Sequence, residues 1–270
     1  MSASSNIPLS PAARTGGPAA GLRAVFGPWS AWTVFERIWI GLFLVISTVV
    51  HVVSQGDLLS YVAAVTGVLC VVLIAKGRIS NYVFGLVSVA LYGWMSLQYS
   101  LYGEVALNWA YYVPMNILGL IVWRRRAVDR GESVRGEDVA VKTMTPRHRG
   151  MLALACAVAV VAVAWILRVV GGASVGLDSA AVVLSVVAMV LTVQRYTEQW
   201  ALWIVVNVLS IALWVVTLRS QGGADATLVV MWSAYLVNSV YGFWNWSRMA
   251  AGQRAEAPTP APAQEAVAAR

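Results

Sequence analysis

Residues 109–125 read WAYYVPMNILGLIVWRR, and residues 232–248 read WSAYLVNSVYGFWNWSR. Trp109, Tyr112, Gly119, Trp123 and Arg125 of the first stretch recur as Trp232, Tyr235, Gly242, Trp246 and Arg248 of the second, each pair 123 residues apart, with Asn116 answered by Ser239. Upstream, SVALY at 88–92 is answered by SIALW at 210–214, a separation of 122 that one insertion in the intervening loop explains. Two matching blocks in consecutive apolar segments mark a duplicated unit. That unit is three helices long, covering 57–124 and 177–247.

Composition says where such a unit lives. Of 270 residues, 59% are hydrophobic and 11% are charged, against about 25% charged in soluble domains. The chain lacks the polar material to cover a water-facing surface. Instead it carries apolar runs near the 20 or so residues that cross a bilayer. Eight spans are expected, at 33–53, 57–75, 80–100, 104–124, 150–171, 177–194, 198–219 and 225–247. The fold class is therefore an all-α integral membrane protein. Its residues 1–30 and 250–270, rich in Ala, Pro, Ser and Gly or in Ala, Pro, Glu and Gln, read as disordered tails. The charged segment 125–149 divides the chain in two.

Topology follows from the cations. With the N-terminus inside, Lys76, Arg78, Arg124, Arg125, Arg126, Arg195 and Arg248 all fall on the cytoplasmic side, and only Arg168 and Arg219 fall toward the other. Asp57, Glu104, Asp178 and Asp225 mark the outer ends. Four spans separate matching helices, so the two repeats run parallel, related by an axis along the membrane normal. Repeats of that kind place a substrate between them near the midplane. The net charge of +7 lies at helix ends and in loops, not in a stripe, which excludes a nucleic-acid partner.

The spans hold little reactive chemistry. No Asp or Glu sits at a span centre, which disfavours a proton-driven pump, and no nucleotide loop, zinc motif or nucleophile elbow is present. The chain reads as no enzyme, with no cofactor. His51, His148, Cys70 and Cys156 have no ligand spacing around them, so no metal site is expected. What the spans do hold is amides and aromatics. On the eighth span Tyr235, Asn238, Tyr241, Gly242 and Asn245 recur at helical spacing, with Trp244 beside them. Trp109, Tyr112, Asn116 and Gly119 do so on the fourth span, and Trp200, Trp203, Asn207 and Ser210 on the seventh. Trp32, Trp39, Trp123 and Trp246 lie at span ends and suit an interfacial belt. Each Asn must face the bundle interior or a wet cavity, whether as glue between helices or as a ligand group. A cavity lined by such groups suits a flat heteroaromatic ring bearing hydroxyls.

Gly77-Arg78-Ile79-Ser80-Asn81-Tyr82-Val83-Phe84-Gly85, Tyr112-Val113-Pro114-Met115-Asn116-Ile117-Leu118-Gly119 followed by Trp123, and Trp200-Ala201-Leu202-Trp203-Ile204-Val205-Val206-Asn207 resemble the PnuC family of nicotinamide riboside transporters, over residues 57–247. The resemblance implies a relative of the SWEET sugar transporters, with two three-helix repeats joined by a linker helix, here 150–171. The first span and the 125–149 loop would be additions. It also implies homotrimers in the bacterial inner membrane, with N- and C-termini cytoplasmic. Transport would be facilitated diffusion of nicotinamide riboside, or of thiamine, riboflavin or another nucleoside, trapped by a cytoplasmic kinase. A receptor that binds without transporting is the reading from another class. By motif position the substrate-binding residues would be Trp109, Tyr112, Asn116, Trp200, Trp203, Asn207, Tyr235, Asn238, Tyr241 and Trp244. The rings would stack on the substrate, and Asn116, Asn207 and Asn238 would bond ribose hydroxyls or a ring amide.

Overall fold

The computed structural model describes residues 25–54, 57–98, 105–128, 140–170, 175–221 and 226–256. Among these residues there are eight helices longer than two turns. They are α1 (Val34–Ser54), α2 (Leu58–Ala75), α3 (Asn81–Gln98), α4 (Val113–Val128), α5 (Pro146–Val170), α6 (Val175–Gln194), α7 (Gln199–Gln221) and α8 (Ala226–Glu256). A π-helical stretch, Ala106–Tyr112, runs directly into α4. The cause is local. Pro114 has no N–H and its ring crowds the carbonyl one turn back. The helix accommodates this by widening, and Val113 N–H bonds Asn108 O five residues away.

Two ends depart from the sequence expectation. Residues 25–30 were expected in a disordered tail, yet Phe26 packs beside Trp32 and Phe84, and Gly27 is buried. At the other end α8 continues as helix to Glu256, into the expected tail; residues beyond it lie outside the described set. Likewise, within the charged segment 125–149, several of residues 141–149 make long-range contacts, Val141 N with Gln253 and Met144 N with Glu198 among them. Lys142 forms an isolated bridge with Tyr196, and Arg149 bonds Glu198 at 2.8 Å.

The helices form a closed ring. Within the first repeat α3 packs on α2 and α4, and within the second α7 packs on α6 and α8. Two seams join the repeats, α2 against α8 and α4 against α6. Outside the ring, α1 packs on α2 and α8, and α5 packs on α6. Each outer helix is preceded by a strap over the loop of its own repeat. Ser80 Oγ donates to Val25 O at 2.7 Å, and Thr197 N donates to Lys142 O at 2.9 Å. The two outer helices thus hold matching places, and α5 is more than a connector.

The loops after α2 and α6 are built alike. After α2 the chain turns at Gly77, φ 69°, with Gly77 N bonding Ile74 O and Arg78 N bonding Leu73 O, both at 2.8 Å. After α6 it turns at Arg195, φ 68°, with Arg195 N bonding Thr192 O and Tyr196 N bonding Leu191 O, both at 3.0 Å. Both are Schellman ends with a left-handed residue past the helix, 118 residues apart. The separation of 122 read from Ser88 and Ser210 differs by about one helical turn, so it preserves the face while missing the register.

Outer surfaces are apolar. Val158, Val161 and Trp165 on α5 are 62%, 70% and 68% exposed, and Val52 on α1 is 67% exposed. Water would penalise such faces; hydrocarbon does not. Helices α1, α2 and α5 carry windows long and apolar enough to cross a membrane, and α3, α6 and α7 carry shorter apolar stretches. Helices α4 and α8 are less apolar, carrying amides and aromatics along their length and charged residues at their ends, Arg124, Arg125 and Arg126 on α4 and Arg248, Arg254 and Glu256 on α8. The chain is a multi-pass membrane protein.

Candidate functional site

Four rings close one end of the ring of helices: Tyr82 on α3, Trp123 on α4, Trp246 on α8 and Trp200 on α7. Tyr82 meets Trp123 edge-on at 5.1 Å, Trp123 meets Trp246 at 6.3 Å, and Trp246 meets Trp200 edge-on at 5.9 Å. All four are essentially buried. Glycines make the close approach possible. A Cβ at Gly119 would strike the Tyr82 ring, and one at Gly242 would lie 2.6 Å from the Trp200 ring.

Trp123 and Trp246, expected in an interfacial belt, are the centre of this plug, 1% and 0% exposed. The last carbonyls of any helix lack partners within it. Trp246 Nε1 donates to Ile74 O at 3.0 Å, at the end of α2. Trp123 Nε1 donates to Val193 O at 3.1 Å, at the end of α6. The last helix of each repeat therefore caps the first helix of the other. Ile74 O also accepts from Gly77 N at 2.8 Å, so Trp246 is its second donor, and these two carbonyls draw the indoles inward.

Behind the plug lies a set of neutral polar groups. Asn116 Nδ2 donates to Tyr112 O at 2.8 Å, and its Oδ1 lies against Gly85 of α3. Asn207 Nδ2 donates to Ser239 Oγ at 2.9 Å, which donates in turn to Tyr235 O at 2.8 Å. Asn238 Nδ2 donates to Val71 O at 2.9 Å, while its Oδ1 is buried without a protein partner. The Tyr235 and Ser88 hydroxyls meet at Gly67 of α2. An amide oxygen left unpaired in a low-dielectric interior is costly, so a donor from a ligand would be favoured there.

The ten residues expected at the site fall into three places. Asn116, Asn207, Asn238 and Tyr235 belong to this polar set, with Tyr112 beside it on the α4 entry. Trp200 belongs to the plug, and Trp203 packs against that plug while its Nε1 donates to Thr192 Oγ1 at 3.3 Å. Trp109 and Trp244 turn away, and Tyr241 packs at the edge of the plug cluster with its hydroxyl directed to α1. Trp109 is 39% exposed and donates to Ala90 O at 3.1 Å. Trp244 is 51% exposed, with Arg248 4.7 Å above its ring. Tyr241 faces α1, where its hydroxyl donates to Glu36 Oε1 at 2.8 Å.

Sequence reasoning missed Ser239 as a partner and Tyr82 as a plug ring. It also missed a buried ion pair, Glu36 with Lys76 at 2.7 Å. Glu36 sits in a capping box, where its Oε2 accepts from Thr33 N at 2.8 Å and its N donates to Thr33 Oγ1 at 3.2 Å. The pattern Thr33-x-x-Glu36 was the available signal, and it reads as an ordinary helix start.

A family described as nicotinamide mononucleotide transporter matches residues 57–248. A nicotinamide riboside transporter PnuC from Neisseria mucosa is 45% identical over 84% of this chain and 85% of its own length. One of the same name from Haemophilus influenzae is 34% identical over 82% of this chain and 92% of its own. A solved structure, described as the crystal structure of the vitamin B3 transporter PnuC, superposes with a TM-score of 0.75 at 43% identity, covering 88% of this chain and 99% of that one.

Proposed function

Since the chain belongs to the nicotinamide mononucleotide transporter family, we propose that it carries nicotinamide riboside across the membrane by facilitated diffusion. The observation that carries this reading is the 45% identity, across most of both chains, to a protein named for that substrate.

The family's description names a nucleotide and the relatives' names a nucleoside, and side-chain chemistry favours the second. A phosphate calls for Arg or Lys. The buried cations among the described residues are Lys76, Arg78 and Arg195, all at the plug-end loops, and Lys76 is already paired with Glu36. The polar set behind the plug is amides and hydroxyls. In this reading Asn116, Asn207, Asn238 and Tyr235 bond the ribose hydroxyls and carboxamide, and Tyr112 and Trp203 flank the pyridinium ring.

The plug is then the cytoplasmic door of the carrier, because the cations gather at that end. The same charge pattern supports cytoplasmic termini in a bacterial inner membrane. Phosphorylation by a cytoplasmic kinase would make uptake one-way, since the product would bear a charge the neutral set does not accommodate. A homotrimer suits the exposed apolar faces.

Purified protein in liposomes should take up labelled nicotinamide riboside saturably, without an ion gradient and with little competition from thiamine or riboflavin. Asn207→Ala should cut that uptake by about tenfold or more, the scale of a lost polar contact that leaves a partner group unpaired. Uptake of the mononucleotide instead, or flux of none of these compounds, would overturn the reading.

A further inference from the structure

The two seams of the ring are built differently. Across α2–α8, three side chains of α8 donate to carbonyls in the last turns of α2: Asn238 to Val71 at 2.9 Å, Asn245 to Ala75 at 2.8 Å and Trp246 to Ile74 at 3.0 Å. Outside that seam stands Glu36 of α1. Its two oxygens take Lys76, which follows α2, at 2.7 Å and Tyr241 of α8 at 2.8 Å. Lys76 also donates to Ala31 O at 3.0 Å and lies 4.7 Å over the Trp32 ring. One buried carboxylate thus holds both edges of the seam, and α8 runs through it as uninterrupted α-helix.

Across α4–α6, Tyr111 donates to Val186 O at 2.7 Å and Trp123 to Val193 O at 3.1 Å, neither bond involving an ionised group. Between those two bonds lie the end of the π-helical stretch and Pro114. Such interruptions are where helices bend. On α5, His148 bonds Thr145 in its own turn at 2.7 Å, and Arg149 pairs with Glu198, which precedes α7, at 2.8 Å; neither contact is with α4.

We propose that the ring opens by parting α4 from α6 while α2 and α8 stay joined, with Glu36 as the positioning residue that holds the closed seam. The proposal rests on the transport reading for its functional readout. In a chain with Cys70 and Cys156 replaced by Ala, one cysteine pair at Ala75 and Asn245 would span α2–α8, and another at Val186 and Tyr111 would span α4–α6. Each pair is bridged by a short, reducible bifunctional thiol reagent in proteoliposomes. Bridging α4–α6 should lower nicotinamide riboside uptake about tenfold or more, restored by reductant, as for any blocked conformational step. Bridging α2–α8 should leave it within about twofold of the reduced protein. Loss from the α2–α8 bridge, or full uptake with α4–α6 bridged, overturns the proposal. A wild-type protein that moved no nicotinamide riboside would count against the transport reading alone. Spin labels at the same pairs, read without substrate, would then decide the seam. Two distance populations across α4–α6 and one across α2–α8 sustain it, and any other pattern overturns it. Glu36→Gln should broaden the α2–α8 distances only; an unchanged distribution would remove Glu36 from the role.

Discussion

Trp246 shows how much one donor can do in this molecule. Its indole ties α8 to the end of α2 and rests against both Trp123 and Trp200. Trp246→Phe keeps most of the ring and removes the N–H. Bonds between membrane helices average about 0.6 kcal/mol and reach about 1.7, so the variant should melt slightly earlier in detergent. Trp123→Phe should match it. Because the two rings touch, the double variant should depart from additivity; a strictly additive melting shift would count against a shared plug. The aromatic and amide residues of α4, α7 and α8 were legible in the sequence as a group, since span composition singles them out. Their partition into plug, polar set and outer surface was not. What draws Trp123 inward is a carbonyl 70 residues away, and helical spacing carries no trace of it. Glu36 escaped for a related reason: an acid in the first turn of a helix is ordinary, and only the fold brings Lys76 and Tyr241 to it.

At the scale of elements, all eight helices were legible as apolar runs separated by short polar loops, although only α1, α2 and α5 are long and apolar enough to cross a membrane by themselves. Ends were less so. Phe26 looks like tail until its ring is seen packed with Trp32 and with Phe84 of α3. Two substitutions test the elements directly. Gly77 holds φ 69°, and Gly77→Ala places a Cβ where the left-handed conformation costs about 1 kcal/mol or more, which should lower the melting temperature measurably. Pro114→Ala restores an N–H and lets the widened turn tighten into α-helix. That variant should be no less stable than the parent yet transport more slowly, which uptake rates set beside thermal melts would show. Faster uptake with unchanged stability would mean that the interruption in α4 does not serve the moving step.

For the whole molecule, the duplication was legible, and the structure adds that each half consists of a strap, an outer helix and three ring helices. Its outward faces make a plain prediction. Val158 and Val161 lie on the exposed side of α5, and a Lys at the centre of a span costs about 2.5–3.5 kcal/mol on insertion. Val158→Lys should therefore reduce membrane-inserted protein sharply, whereas Arg147→Ala, at the start of the same helix, should leave yield nearly unchanged. Equal yields would mean that this face does not meet lipid.

The reciprocal tryptophan caps also set an order of events in time. A growing chain delivers the end of α2 172 residues before it delivers Trp246. Until that residue emerges, the first half sits in the bilayer with one helix unfinished and a neighbour missing. The newborn protein must wait in an open, provisional arrangement through the making of its own second half, and a ribosome that stops short of residue 246 leaves both halves ajar.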